Sequence, residues 1–278
     1  MEKDEIDEEE DSTCGMIHPK FKMSASARIF NGETAAAHSW PWMAMLMRRN
    51  IRTKEWEQPC AGSVISSRAI VTAAHCIDTL HVARFKVLLD YENDIALLIT
   101  NSTIQYNEYV RPICLPDPEA DIIRSNKYQQ SSCFVAGWGN TRLQDSLYYS
   151  SSYGESDRAN FLQQALVRLF PMDECTLNQR ELEIGVLFKS MENRLCAGRS
   201  TADSSYDPSK YGSIPSSAHG AACDGDSGGP LFCLDLGDDG YKLQGIVNIG
   251  AGCGRRGLYT RVANYMAWIF ENMHVDPK

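Results

Sequence analysis

The residues best suited to chemistry lie in one stretch, Cys223-Asp224-Gly225-Asp226-Ser227-Gly228-Gly229-Pro230. No neighbour of Ser227 is bulky enough to cover its hydroxyl, so the group is expected to stand exposed as a nucleophile. Glycines at 225, 228 and 229 allow a tight turn and a close approach of backbone to a bound substrate. In such a turn the N–H groups of Gly225 and Ser227 can point at one spot and hold an oxyanion. A nucleophile beside an oxyanion site is the equipment of acyl transfer. A G-x-S-x-G string alone is as readily a Gly/Ser turn in a loop-rich protein, so the reading depends on partners elsewhere in the chain.

The longer string G-D-S-G-G-P resembles the nucleophile loop of the trypsin/chymotrypsin family of serine endopeptidases. Two further motifs join it: Thr72-Ala73-Ala74-His75-Cys76 and Asn93-Asp94-Ile95-Ala96-Leu97-Leu98. Both are similar to family motifs, and the order His, Asp, Ser along the chain is that of chymotrypsin. The resemblance implies that His75 is the general base and that Asp94 holds its tautomer and steadies its positive charge. Arg28-Ile29-Phe30-Asn31-Gly32 is similar to the family's activation site. It implies an acidic pro-segment over residues 1–28 and a peptidase domain over 29–278, released by cleavage after Arg28. The new Ile29 ammonium would then pair with Asp226 and order the oxyanion backbone, a buried carboxylate needing such a partner.

These residues must be carried by strands. Ala61-Gly62-Ser63-Val64-Ile65 and Ala69-Ile70-Val71-Thr72 are short β-branched runs that lead into His75. Leu162–Phe170 is a further strand candidate, and His81–Leu89 supplies the strand material between His75 and Asp94. Asp173-Glu174-Cys175 opens a helical turn, and the amphipathic segment Tyr265–Met273 is expected to be a C-terminal helix. The fold class expected is all-β. The resemblance implies two packed six-stranded antiparallel Greek-key barrels with that helix, the first barrel being shortened.

The chain has 278 residues, 43% of them apolar and 23% charged, enough for an ample core. No apolar run reaches membrane-spanning length. The net charge is −9, of which residues 2–11 supply most through eight acids against one lysine. Such a run is usually a solvated end, the rest is nearly neutral, and no nucleic-acid surface is indicated. Ten cysteines are scattered without metal-binding pairs, so disulfides and an oxidising, extracellular compartment are expected, with no metal and no cofactor. Spacing alone leaves their connectivity open. The resemblance implies Cys60–Cys76, Cys133–Cys233, Cys175–Cys196 and Cys223–Cys253, with Cys14–Cys114 tethering the pro-segment. No signal peptide is visible at Met1, and the expectation is that the N-terminus is incomplete. Asn101-Ser102-Thr103 is a glycosylation sequon.

Specificity is expected from a pocket behind Ser227. Ala221 stands where trypsin-like members carry an aspartate, and Gly250 and Gly257 would form open walls, which suits a large apolar or aromatic side chain before the scissile bond. The partners implied are protein or peptide substrates, an activating trypsin-like protease and protein protease inhibitors. Two departures from the family stand out. Asn248-Ile249 replaces Ser-Trp ahead of Gly250. The larger departure is that His75 and Asp94 are only 19 residues apart, against about 45 in chymotrypsin. Part of the first barrel, including the family's calcium loop, is therefore missing. An active peptidase and a catalytically inactive homologue that binds partners are the two readings this leaves.

Overall fold

The structure, a computed structural model, describes residues 14–21, 33–50, 52–79, 85–88, 93–119, 132–140, 159–172, 191–198, 222–223, 225–235, 237–250 and 256–273. Among them, twelve strands fall into two sheets. The first sheet contains β2 (Met43–Arg49), β3 (Trp56–Val64), β4 (Ala69–Thr72), β5 (Phe85–Leu88) and β6 (Ile95–Ile99), in the order β2-β3-β4-β6-β5. Every pair in it is antiparallel. Its outer strands β2 and β5 do not pair with each other, so the sheet is open as far as the described residues show it.

The second sheet is a closed barrel. It contains β7 (Ser132–Gly137), β8 (Gln163–Phe170), β9 (Arg194–Gly198), β10 (Pro230–Leu234), β11 (Lys242–Gly250) and β12 (Gly257–Arg261). The order β8-β7-β10-β11-β12-β9 is closed by pairing of β8 with β9, and β1 (Glu33–Thr34) adds to the outside of β8. In β8, Ala165, Val167 and Leu169 are buried while Leu166 and Arg168 face out, the period of two that a half-covered strand requires. The mostly-β fold with one complete six-stranded barrel and a reduced first sheet is the one that the resemblance implied.

Aromatic side chains fill the seam between the sheets. Trp42, fully buried just ahead of β2, and Trp40 meet Phe232 of β10 edge-on, at 5.3 and 4.7 Å between ring centroids. Tyr241 and Phe134 complete the cluster. Each such pair adds about 0.5–1.5 kcal/mol beyond the area it buries. A 3-10 turn over Val262–Tyr265 runs into helix α1 (Met266–Met273). Met266 and Ile269, three residues apart and so on one face, are its buried residues, and the helix packs against β6.

Disulfides join Cys14 to Cys114, Cys60 to Cys76 and Cys133 to Cys233. Cys196 and Cys223 are also bridged; Cys175 and Cys253, and the helical turn expected at 173–175, lie outside the described residues. The segment from Cys14 to Phe21 is held by more than its disulfide. Gly15, at φ +65, donates to the Pro112 carbonyl at 2.8 Å, and its own carbonyl accepts from Tyr241 N at 2.9 Å. Phe21 packs against the rings of His38 and Tyr109. No helix among the described residues is long and apolar enough to cross a membrane.

Candidate active site

His75 and Asp94 meet because β4 and β6 are neighbours. The pairing sets Val71 opposite Leu97 and Thr72 opposite Ala96. Continued past the end of β4, this register puts Ala74 across from Asp94, with His75 one residue beyond. The Asp94 carboxylate is buried at 5% exposure. It accepts from the His75 backbone N–H at 2.9 Å on one oxygen and contacts His75 Nδ1 at 2.7 Å with the other. An imidazole N–H facing a buried carboxylate is a charge-assisted contact, stronger than one between neutral groups. It fixes the proton on Nδ1 and leaves Nε2 as the basic nitrogen. The His75 side chain is 42% exposed.

The loop bearing Ser227 leads into β10 and lies against the first sheet. Ala61 N donates to the Ser227 carbonyl at 2.8 Å, and Gly228 N donates to the Val247 carbonyl at 2.9 Å. Gly228 has φ +77, and a Cβ there would stand 2.1 Å from Thr72 Oγ1 and 3.1 Å from Ala73 N. Only glycine allows this approach, which brings the serine loop alongside the segment leading into His75. Among the described residues no hydrogen bond joins Ser227 Oγ to the His75 ring. Catalytic contacts of this kind are often long in an unliganded site and tighten on substrate.

The amides of the loop divide into two groups. Those of Asp226, Gly228 and Gly229 each donate to a backbone carbonyl. Those of Gly225 and Ser227 have no such partner among the described residues, although the carbonyls of the same two residues are both taken. Ser227 O accepts from Ala61 N. Gly225 O accepts from Gln58 Nε2 at 3.1 Å. With the carbonyls tied down and Gly225 at φ +98, two N–H groups remain available for a ligand.

Asp226 turns away from the serine toward β7. Its carboxylate accepts from Gly139 N at 2.7 Å and from Cys223 N at 2.8 Å. A side chain at Gly139 would meet this carboxylate at 2.6–2.7 Å, so the glycine-tryptophan-glycine turn is shaped to hold it. Burial, with the Asp226 charge adding to it, pushes the Tyr259 phenol above its ordinary pKa, so this ring is neutral beside the loop. Gly250 and Gly257 are direct partners across β11 and β12, and Gly257 also faces Ala197 of β9. Ala221, Asp224, Arg28 and Ile29 lie outside the described residues. Arg256 is half-buried with its guanidinium 3.7 Å from the Phe170 ring centroid.

Sequence reasoning did not single out Gln58. It is a buried residue of β3 whose amide reaches both Cys60 O and Gly225 O. A lone glutamine two residues before a cysteine carries no pattern that marks this role. Thr260 was missed for the same reason: its hydroxyl donates to the Asp94 carbonyl at 3.0 Å from the other sheet. Cys60, His75 and Cys76 gather their ligand-type atoms within 4.8 Å. The bridge between the two cysteines consumes both thiolates, so this grouping offers only the histidine nitrogen to a metal.

A sequence model of the family described as Trypsin matches residues 29–90 and 80–269, two pieces that overlap inside the shortened interval between His75 and Asp94. The chain is 31% identical to the chymotrypsin-C of Bos taurus over 297 aligned residues, covering 95% of each protein. It is 30% identical to the ovochymase of Halocynthia roretzi over 304, covering 97% of this chain but only 17% of that protein. A closed six-stranded barrel, a second sheet and a carboxy-terminal helix accompany these matches, and the chain belongs to the trypsin family of serine proteases.

Proposed function

We propose that this chain is an active serine endopeptidase. The observation that carries the reading is the double contact of the buried Asp94 carboxylate with His75, made despite the short connection between them. Ser227 Oγ attacks a peptide carbonyl while its proton passes to His75 Nε2, and Asp94 steadies the imidazolium. The N–H groups of Gly225 and Ser227 take up the charge that grows on the carbonyl oxygen. One such donor is worth about 2.7–4 kcal/mol of barrier. His75 returns the proton to the leaving amine, and water releases the acyl group by the same route.

The finer reading follows the residues. Cleavage after Arg28, by an activating trypsin-like protease, frees Ile29 to pair with Asp226. The amides of Gly139 and Cys223 already orient this carboxylate at the back of the loop. Residues 1–28 are then a pro-segment that stays attached through Cys14–Cys114. Ala221, Gly250 and Gly257 make a neutral, open pocket for a large apolar or aromatic side chain, and the substrates are proteins or peptides. The bridged cysteines suit a secreted protein that meets protein protease inhibitors. The second reading, a catalytically silent homologue that binds partners, is favoured by the open first sheet and by a Ser227 hydroxyl without a bond to His75.

A fluorophosphonate probe applied to trypsin-treated protein separates the two. The expected result is covalent labelling that disappears in both Ser227→Ala and His75→Ala. Folded, cleaved protein that takes up no label overturns the endopeptidase reading.

A further inference from the structure

Arg194 is an arginine with 1% of its surface exposed, one of the largest fully buried side chains in the molecule. Taking a guanidinium out of water is costly unless its N–H groups are used. Arg194 lies on β9 opposite Thr260 of β12, and its terminal nitrogen donates to Thr260 Oγ1 at 3.1 Å. Asn248 of β11, also buried, donates its amide to the same oxygen at 3.2 Å. A hydroxyl has one proton and two acceptor sites. Both acceptor sites are filled by groups that can only donate, so the proton has one direction left. It points to the Asp94 carbonyl, 3.0 Å away in the other sheet.

Three strands of the closed barrel therefore converge on one oxygen, and that oxygen grips the peptide bearing the His75 partner. The Asp94 carboxylate itself takes its two hydrogen bonds from His75. Its angle to the ring thus depends on how the Asp94 backbone is held. On the other side, the Tyr265 hydroxyl donates to Asn93 Oδ1 at 2.8 Å, so residues 93 and 94 are both anchored from the second half of the chain. We propose that Arg194, Asn248 and Thr260 are positioning residues for the His75–Asp94 pair. Through them the barrel sets the geometry of a contact made within the open sheet. Asn248 stands where the resemblance leads one to expect a serine, and its amide is spent on Thr260.

The kinetic arm of the test rests on the endopeptidase reading; a second arm does not. Thr260→Val keeps the volume and removes the hydroxyl. It is expected to lower kcat about tenfold with KM within about twofold, as for loss of one buried hydrogen bond felt at the reacting groups. In the same protein the downfield proton resonance of His75 Nδ1–H should shift or broaden, and Thr260→Ser should restore both. Arg194→Met, which fills space without donors, frees one clamp and should give the same changes at about a third of the size. If Thr260→Val does not accumulate as folded protein, Arg194→Met decides. A folded variant with wild-type kcat and an unmoved resonance overturns the proposal. A wild-type chain that hydrolyses nothing, but whose resonance moves in Thr260→Val, overturns the endopeptidase reading and leaves this one standing.

Discussion

The two sheets solve the same problem with different amounts of chain. The second is closed, six strands around, and presents the serine loop from β10 with Gly250 and Gly257 beside it on β11 and β12. The first shows five strands without closure among the described residues, and only 19 residues separate its histidine from its aspartate. Yet the His75–Asp94 contact is made. The positions of both residues are set by the four-residue pairing of β4 with β6, and the intervening chain, which also supplies β5 to this sheet, spans the gap. A sheet left unclosed exposes unpaired backbone at its edges. Strand pairing and loop length are separable, and only the first is needed to bring these two residues together.

Asp94→Asn is the strongest test of this contrast. It keeps the fold but presents the wrong group to Nδ1, and kcat should fall by about 10⁴-fold with little change in melting temperature, read by steady-state kinetics and thermal unfolding. A loss of only a few fold would mean that the open sheet contributes little to catalysis. Gln58→Leu is the next step down, because Gln58, beside Ala61 N, is one of the first sheet's two hydrogen-bonded holds on the Ser227 loop among the described residues. Losing the bond to the Gly225 carbonyl should reduce kcat about tenfold, as one buried hydrogen bond is worth about 0.5–1.5 kcal/mol. Fluorophosphonate labelling should slow in parallel. The smallest effect is expected from lengthening the connection between His75 and Asp94 with about ten Gly/Ser residues inserted after Leu80. Closing a loop of twice the length costs only about 0.6 kcal/mol more, so denaturant unfolding and kcat should both stay near those of the parent. A collapse of activity there would show that connection length matters after all.

The parts of the site written as contiguous motifs could be found in the sequence, and the parts made by cross-strand contact could not. The stretch around Ser227 announces itself because a nucleophile loop needs its glycines in fixed order, and Gly228 shows why, pressed against Thr72 and Ala73. The strand candidates at 61–65, 69–72 and 162–170 overlap the end of β3, coincide with β4 and start one residue ahead of β8, where β-branched runs and alternation are strong. Gln58, Thr260 and Arg194 gave no signal. None of them belongs to a motif that marks it, and the meaning of each comes from which strand lies opposite. The arginine is the sharpest case, because burial of a cation runs against its type. Only the neighbouring hydroxyl and amide make sense of it. The consequence of a short His75–Asp94 interval was equally hidden, since register is a property of two strands and neither states it alone.

The bridge from Cys14 to Cys114, with the backbone bonds of Gly15 beside it, makes residues 14 and 15 a permanent part of the folded body. Any cut between residues 21 and 33 would therefore divide the polypeptide without dividing the molecule. The eight acids of residues 2–11 would travel with the domain as a covalent passenger, and the two-chain species would keep nearly the same strongly negative charge as its single-chain parent.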